Sequence, residues 1–308
     1  MTNLKKKENQ LFLDYTLSGR KKPWNLKKEM NMMYARYLEV LDYKKALNVK
    51  ECGNFIGLKE DNEGRLRVDK TWFCHSRLCP MCNWRRSIKQ GYKLNCILQK
   101  GLACHPNGCF LFLTLTERNC FANDLQRLLR AMTKGFMRLS QYRKVKRNLL
   151  GYIRTTEITI NEKQDEYHPH MHVILFMKST YFSGKKNYIS KTEWTMLYKK
   201  ARELEYNPIV DIKVIKSKTD GQLLKAAQEV AKYQVKDSDF ITGNFDKDLE
   251  FIDTLEKALK GTKSISYGGI FKEINHDMKL KLNRKSIKGK EIVAIWNEID
   301  NKYYLSKY

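Results

Sequence analysis

Three of the six histidines stand within five residues, as His168-Pro169-His170-Met171-His172. In an extended strand alternate residues share a face, so the three imidazoles project together and are spaced to converge on one cation. The preceding apolar stretch carries Glu157. If the intervening polar loop closes symmetrically, Glu157 lies across from His172 and its carboxylate reaches the same ion. Two imidazoles and a carboxylate suit a divalent ion that keeps open positions for water or a phosphate oxygen. His168 competes with Glu157 for the third ligand position.

A second group lies further along, in Glu229-Val-Ala-Lys-Tyr233-Gln-Val-Lys236. The apolar positions Leu223, Ala227, Val230 and Ala231 predict a helix over 223–236, with Glu229, Tyr233 and Lys236 on a separate stripe at i, i+4 and i+7. Such a stripe offers a carboxylate, a nucleophile and a cation. A tyrosine attacks a phosphodiester when a metal polarises the phosphate, and a carboxylate one turn earlier can activate water afterwards.

A third group is Cys52 with Cys74-His75-x-x-x-Cys79-Pro80-Met81-Cys82. A Cys-x-x-Cys knuckle with two further cysteines has the spacing of a tetrahedral structural Zn²⁺ site, with His75 as an alternative ligand. Four thiolates leave no open position, so this site holds structure. The basic stretch that follows, from Arg85 and Arg86, is placed to rest on a phosphate backbone. Cys96, Cys104, Cys109 and Cys120 lack ligand spacing and read as core thiols.

These groups sit in a chain of 308 residues with 59 Lys plus Arg against 34 Asp plus Glu, a formal charge of +25. That excess points to a polyanionic partner. No run of about 20 apolar residues is present to span a bilayer and no secretory signal opens the chain, so a cytoplasmic protein with reduced thiols and no membrane partner is expected. Between Leu125 and Thr156 there are nine basic residues and no acidic one. Arg138, Arg143, Lys144, Lys146 and Arg147 are read from this run as phosphate contacts.

The elements that must position the histidines begin with the apolar run Phe110–Thr116. An amphipathic helix capped at Asn123/Asp124 follows, then strands over Gly151–Ile160 and Pro169–Met177, a helix over Thr192–Leu204, a strand at Val210–Val214 and the closing helix. The order βαββαβ predicts an α+β domain, a ferredoxin-like antiparallel sheet with helices packed on one face. Four segments are expected: a basic helical stretch over 1–50, a cysteine-rich zinc-binding segment over 51–104, the nuclease domain over 105–240, and an accessory region over 241–308. The last is expected to hold a helix ending at Gly261 and a hairpin around Ile292–Leu305.

Together these residues describe a metal-dependent DNA-nicking enzyme with a covalent tyrosine step. They also resemble a family. Phe112-Leu-Thr-Leu-Thr116, the run His168 to Val173, and Glu229 to Asp239 are similar to the three ordered motifs of rolling-circle plasmid replication initiators, in the His-hydrophobe-His endonuclease superfamily. Cys79-Pro-x-Cys82-x-x-Arg85-Arg86 and Ile265-Ser-Tyr-Gly-Gly-Ile-Phe-Lys272 extend the likeness to roughly residues 50–275. The resemblance implies that His170 and His172 bind Mg²⁺ or Mn²⁺. It implies that Tyr233 attacks one strand at the plasmid's double-strand origin, keeping a 5′-phosphotyrosyl link and freeing a 3′-OH primer. Glu229 then directs water at termination, Lys236 or Lys232 holds the phosphate, and a host helicase and DNA polymerase act alongside. A transposase of the same superfamily is an alternative, although it often carries a second tyrosine where this chain has Glu229. A non-enzymatic zinc-dependent DNA-binding regulator would leave the histidines and Tyr233 without a role.

Overall fold

The computed structural model describes residues 10–12, 22–60, 66–216, 221–280 and 290–306. In chain order these form β1 (Gln10–Leu11), α1 (Trp24–Val40), α2 (Ala46–Lys50), β2 (Phe55–Glu60), β3 (Leu66–Thr71) and α3 (Pro80–Cys104). Then come β4 (Cys109–Thr116), α4 (Ala122–Gln141), α5 (Arg143–Lys146), β5 (Leu149–Asn161), β6 (Glu166–Met177), α6 (Lys191–Arg202) and β7 (Ile209–Ile215). The chain closes with α7 (Gln222–Val230), α8 (Asp237–Phe240), α9 (Phe245–Leu259), β8 (Ile265–Gly269), α10 (Ile270–Leu280), β9 (Lys290–Asn297) and β10 (Lys302–Ser306). This is a mixed α+β protein with two five-stranded antiparallel sheets. It divides into two compact units that cut across the four segments read from the sequence. The first takes in the described parts of 1–85, 243–249 and 283–308, and the second those of 86–242 and 250–282.

In the first unit the sheet order is β1-β10-β9-β2-β3. The expected C-terminal hairpin is β9 with β10, where Trp296 faces Tyr303 with ring centroids 5.0 Å apart. On α1, Trp24, Lys28, Asn31, Ala35 and Leu38 are buried at alternating steps of four and three, one stripe of a helix.

In the second unit the order is β7-β4-β6-β5-β8. The expected strand–helix succession appears as β4, α4, β5, β6, α6, β7. The odd-numbered residues Leu111, Leu113, Leu115, Met171, Val173 and Leu175 face α4 and α6, meeting Met132, Phe136, Trp194 and Tyr198 in one core. Phe110, Ile153, Ile174 and Phe176 face the other way, against Leu94, Ile97 and Leu98 of α3, Ala227 and Val230 of α7, and Phe271 of α10. Helices therefore cover both faces, not the single face expected. The extra cover comes from α3, α7 and α10, elements outside the βαββαβ pattern.

Three further differences bear on the site. β6 starts at Glu166, three residues before the expected Pro169, because buried Tyr167 exchanges backbone hydrogen bonds with Cys120 (2.8 and 2.9 Å). Pro169 is tolerated there: it faces Ile158, whose N–H is turned away to the Gln234 carbonyl. The missing proline donor thus falls on the side where β4 has already ended at Thr116. Helix α7 stops at Val230, not Lys236, since the chain beyond it is taken up by β5 through Ile158 N–H to Gln234 O (2.6 Å) and by burial of Gln234 and Val235. The N-cap of α4 is Phe121, with Asp124 inside the first turn and bonded to Arg127.

The fifth strand, β8, was not anticipated. It pairs with β5 from Gly151↔Gly269 to Thr155↔Ile265. A Cβ on Gly268 would overlap the Tyr152 ring, and Gly269 has φ +56° with the Leu150 carbonyl where a Cβ would go. Gly268→Ala is therefore expected to destabilise the protein by about 1–3 kcal/mol, read as a shift of the urea midpoint without a change of slope.

Candidate functional site

The even-numbered positions of β6 place His168, His170 and His172 on the face toward α7. Neighbouring strands supply their partners. β4 sets Thr114 opposite His172 and Thr116 opposite His170, and each hydroxyl shares a hydrogen bond with the Nδ1 of its histidine, at 3.3 and 3.0 Å. With Nδ1 occupied, the ring's other nitrogen is the one available to a ligand, and the ring orientation is fixed. Sequence reading missed these two threonines. Their signal was present, because they alternate within the β4 run on the same face as the histidines.

Glu157 stands in register with His170, not across from His172 as expected from a symmetric loop. Its carboxylate nevertheless reaches diagonally, with Oε2 3.1 Å from His172 Nε2. Glu229, in the last full turn of α7, completes a group in which ligand atoms of Glu157, His172 and Glu229 all lie within 4.8 Å of one another. The sequence reading gave Glu229 a role with water, not a place among candidate ligands. His168 and His170 lie outside that group; their ring centroids are 4.2 Å apart, and His170 stacks at 6.3 Å from His172.

The hydrogen bond from His172 holds the Glu157 pKa below the usual carboxylate value, helped by the charges of His172, Lys232 and Lys236. Burial lowers His168, and burial together with the neighbouring imidazoles lowers His170 to about 4. At neutral pH an anionic Glu157 carboxylate thus stands near neutral His168 and His170, the protonation states a divalent cation requires. Lys232 pairs with Glu229 at 2.5 Å, whereas Lys236 is exposed. Tyr233 is half-buried and lies outside the helix, next to the Gln234 carbonyl that is tied to β5 one residue past Glu157. The i, i+4, i+7 stripe is therefore replaced by a helix end and an anchored loop. Burial raises the pKa of Asp239, whose carboxyl also feels Glu157 and Lys236.

In the first unit, Cys52, Cys74, Cys79 and Cys82 come together as expected, while His75, at φ +56°, is not among them. Sγ atoms lie 3.6 Å apart for Cys52–Cys82, Cys74–Cys82 and Cys79–Cys52. Four sulfurs about 2.3 Å from a tetrahedral centre must be about 3.8 Å from one another, so the cluster has the size of a filled site. Backbone N–H groups of Cys74, Ser76 and Cys82 point at cluster sulfurs. Hydrogen bonds with the three neighbouring thiols, Cys52 foremost, hold Cys74 far below the ordinary thiol value, the contact with Cys74 raises Cys52, and burial followed by the thiol contacts raises Cys79.

Behind the cluster sits Lys28, fully buried, donating to the carbonyls of Lys50 (2.5 Å) and Cys52 (3.0 Å) and to Asn31 Oδ1 (3.1 Å). Asn31 in turn donates to Cys79 Sγ at 3.3 Å. Burial lowers Lys28 to about 8, opposed by Cys52 and Cys79. Were all four sulfurs thiolates, as a bound metal would require, this buried ammonium would offset part of their negative charge. No local pattern in the sequence marked Lys28, since a lysine on a helix normally faces water.

The basic residues read as phosphate contacts divide. Arg85 stacks over Trp24 and Trp84, 5.1 and 5.4 Å from the rings, and burial lowers its pKa. Arg86 follows it on α3, half-buried. The acid missing from the sequence run arrives from α6, where Glu193 pairs with Lys144 (2.6 Å) and Glu203 with Arg138 (2.8 Å). Arg143 and Lys146 remain exposed on α5, and Arg147 donates to the Lys186 carbonyl. Cys104 is exposed and Cys96, Cys109 and Cys120 are half-buried, so none is the fully buried core thiol expected.

A protein-family model described as Replication protein matches residues 65–304. The chain belongs to this replication protein family. It is 43% identical over 311 residues to "Protein rep" of Lentilactobacillus hilgardii, covering 96% of this chain and 99% of that protein. It is 44% identical over 277 residues to "Protein rep" of Lactiplantibacillus plantarum, covering 89% and 87%. With "Protein rep" of Streptococcus pneumoniae the identity is 35% over 319 residues and 98% of each chain. No solved structure matches the chain. The matched span holds the histidine strand, Glu229, Tyr233 and three of the four clustered cysteines, so the resemblance to rolling-circle plasmid replication initiators is borne out for the replication protein as a whole. No helix among its described residues is long and apolar enough to cross a membrane.

Proposed function

We propose that this replication protein starts rolling-circle replication by nicking plasmid origin DNA with Tyr233, on a ferredoxin-like core of the His-hydrophobe-His type. The observation that carries the reading is the meeting of Glu157, His172 and Glu229 on one sheet face, beside the anchored loop that bears Tyr233. The order β7-β4-β6-β5 supports the ferredoxin-like assignment, with β8 as an addition at one edge.

The donor set of imidazole and carboxylate suits Mg²⁺ or Mn²⁺, with His170 beside it as a further ligand. Bound there, the ion supplies positive charge that polarises the scissile phosphate. Tyr233 Oη forms a bond to phosphorus as the bond to the 3′-oxygen breaks. The phenol gives up a proton and the departing 3′-oxygen takes one up, leaving a 3′-OH and a 5′-phosphotyrosyl link. Lys232 and Lys236, on either side of Tyr233, hold phosphate oxygens. Glu229 directs water onto the phosphotyrosyl link at termination. Thr114 and Thr116 keep the imidazoles aimed, so Thr116→Val is expected to weaken Mn²⁺ binding about 10- to 100-fold by calorimetry.

The four cysteines hold Zn²⁺ as a structural centre, with Lys28 and Asn31 behind it. A cytoplasmic setting, plasmid origin DNA as substrate, and a host helicase and DNA polymerase as partners complete the reading. The test is conversion of supercoiled plasmid carrying the cognate origin into open circles. The reading expects nicking with Mg²⁺ or Mn²⁺ and none when the ion is omitted; DNA that is bound but never cut under either ion contradicts it.

A further inference from the structure

At the other end of β6 from the histidines, a short segment turns back over the sheet end with two aromatic rings in solvent. Phe182 is 48% and Tyr188 45% exposed. Their centroids are 6.1 Å apart, at an interplanar angle of 32°. They are held in place from below by buried Tyr181, 4.9 Å from Phe182 and 5.8 Å from Tyr188. Tyr181 is fixed in turn, its hydroxyl donating to Ile189 O (3.0 Å) and accepting from Trp194 Nε1 (3.2 Å). The rings are therefore mounted on the core of the unit, and Gly184 at φ +73° makes the turn between them.

The surroundings are cationic. From Lys178 to Thr192 there is no acidic residue, and Lys185 and Lys186 are exposed between the two rings. α5 is tied to the same segment, with Arg147 donating to Lys186 O, Asn148 Nδ2 to Asn187 O (3.1 Å) and Lys178 N–H to Asn148 O (2.8 Å). Arg143 and Lys146 of this short helix are exposed, and Arg147, at its end, meets the segment that carries the rings. The acid nearest in sequence, Glu193, is already engaged by Lys144.

Phosphates alone do not account for such a surface, because contact with a duplex backbone gains little from two wet rings. Unpaired bases do: each has a π-face to stack, while lysines and arginines follow the backbone. We infer that Phe182 and Tyr188, flanked by Arg143, Lys146, Lys185 and Lys186, form a platform for unpaired DNA bases, separate from the nicking centre. The platform lies beyond Met177, seven residues past His170, roughly 24 Å along β6. The platform's role rests on the reading of the protein as an initiator acting on origin DNA.

The test is binding of a labelled oligothymidylate and of a blunt duplex of equal length, by fluorescence anisotropy, without added Mg²⁺ or Mn²⁺, so that no cleavage is needed. Phe182→Ala and Tyr188→Ala are each expected to weaken single-strand binding about tenfold and duplex binding less than twofold. Phe182→Trp restores single-strand affinity, and the added indole is quenched on binding. Lys185→Ala with Lys186→Ala lowers the slope of log affinity against log salt by about 1.4 for the single strand. Thermal midpoints are followed for every variant, and both rings are surface groups whose loss leaves the fold intact. Unchanged single-strand affinity in both alanine variants overturns the platform alone, leaving the nicking reading standing. Wild-type protein that binds no single strand overturns the platform and the initiator reading together.

Discussion

Tyr233→Phe is expected to abolish cleavage of origin DNA, by about 10⁴-fold or more, while DNA binding stays within about twofold. The size follows from chemistry: phenylalanine keeps the ring and its packing but has no oxygen to bond to phosphorus, and loss of a nucleophile removes the whole covalent route. The fold should not suffer. Tyr233 is half-buried in a loop fixed by the Gln234 carbonyl and by buried Val235. Loss of one hydroxyl there costs about 1 kcal/mol. Nick formation on a supercoiled substrate separates the outcomes. A Phe variant that cuts at more than a few per cent of the wild-type rate would mean that water, not Tyr233, attacks.

With the four cysteines holding Zn²⁺ as proposed, Cys79→Ser is expected to release the ion and to destabilise the first unit by more than about 4 kcal/mol. Cys79 is fully buried, its sulfur 3.6 Å from that of Cys52, and it accepts hydrogen bonds from Asn31 and from the Cys82 amide. Serine is a poor zinc ligand, and three remaining thiols beside the buried Lys28 ammonium would face each other with no cation at the centre. Metal analysis of the purified protein and thermal melting with and without a zinc chelator measure both effects. Cys96→Ser, outside the cluster, is the control and should change neither. A wild-type protein free of zinc, melting alike in both conditions, would contradict the structural-metal assignment.

Legibility in the sequence followed from how local each signal was. The alternation His168, His170, His172 and the knuckle Cys79-x-x-Cys82 are properties of a few consecutive residues: the three imidazoles share one sheet face and the four cysteines come together, although only His172 joins Glu157 and Glu229. The succession from β4 to β7 was equally readable, because each strand or helix carries its own apolar period. What was not readable depended on distant chain. The end of α7 at Val230 is decided by a carbonyl accepted into the edge of β5, which no helical propensity encodes. Glu157 sits two residues away from expectation, still on the same face, because the loop at 162–165 closes with Asn161 opposite Glu166. Lys28 looked like any surface lysine until α2 and the cysteine cluster closed around it. The Glu193 and Glu203 partners of the basic run come from another helix. Gly268 and Gly269 gave no hint that their strand would join the sheet beside β5.

The central claim is that Tyr233 becomes joined to DNA. Its most direct test is to incubate the protein with Mn²⁺ and single-stranded fragments of the plasmid origin, isolate the protein–DNA adduct under denaturing conditions, digest it, and locate the nucleotide-bearing peptide by mass spectrometry. A single modified peptide spanning Lys232 to Lys236, with the nucleotide on Tyr233 through a 5′-phosphate, is the predicted result. Cleaved DNA without an adduct, or an adduct on any other residue, would contradict it.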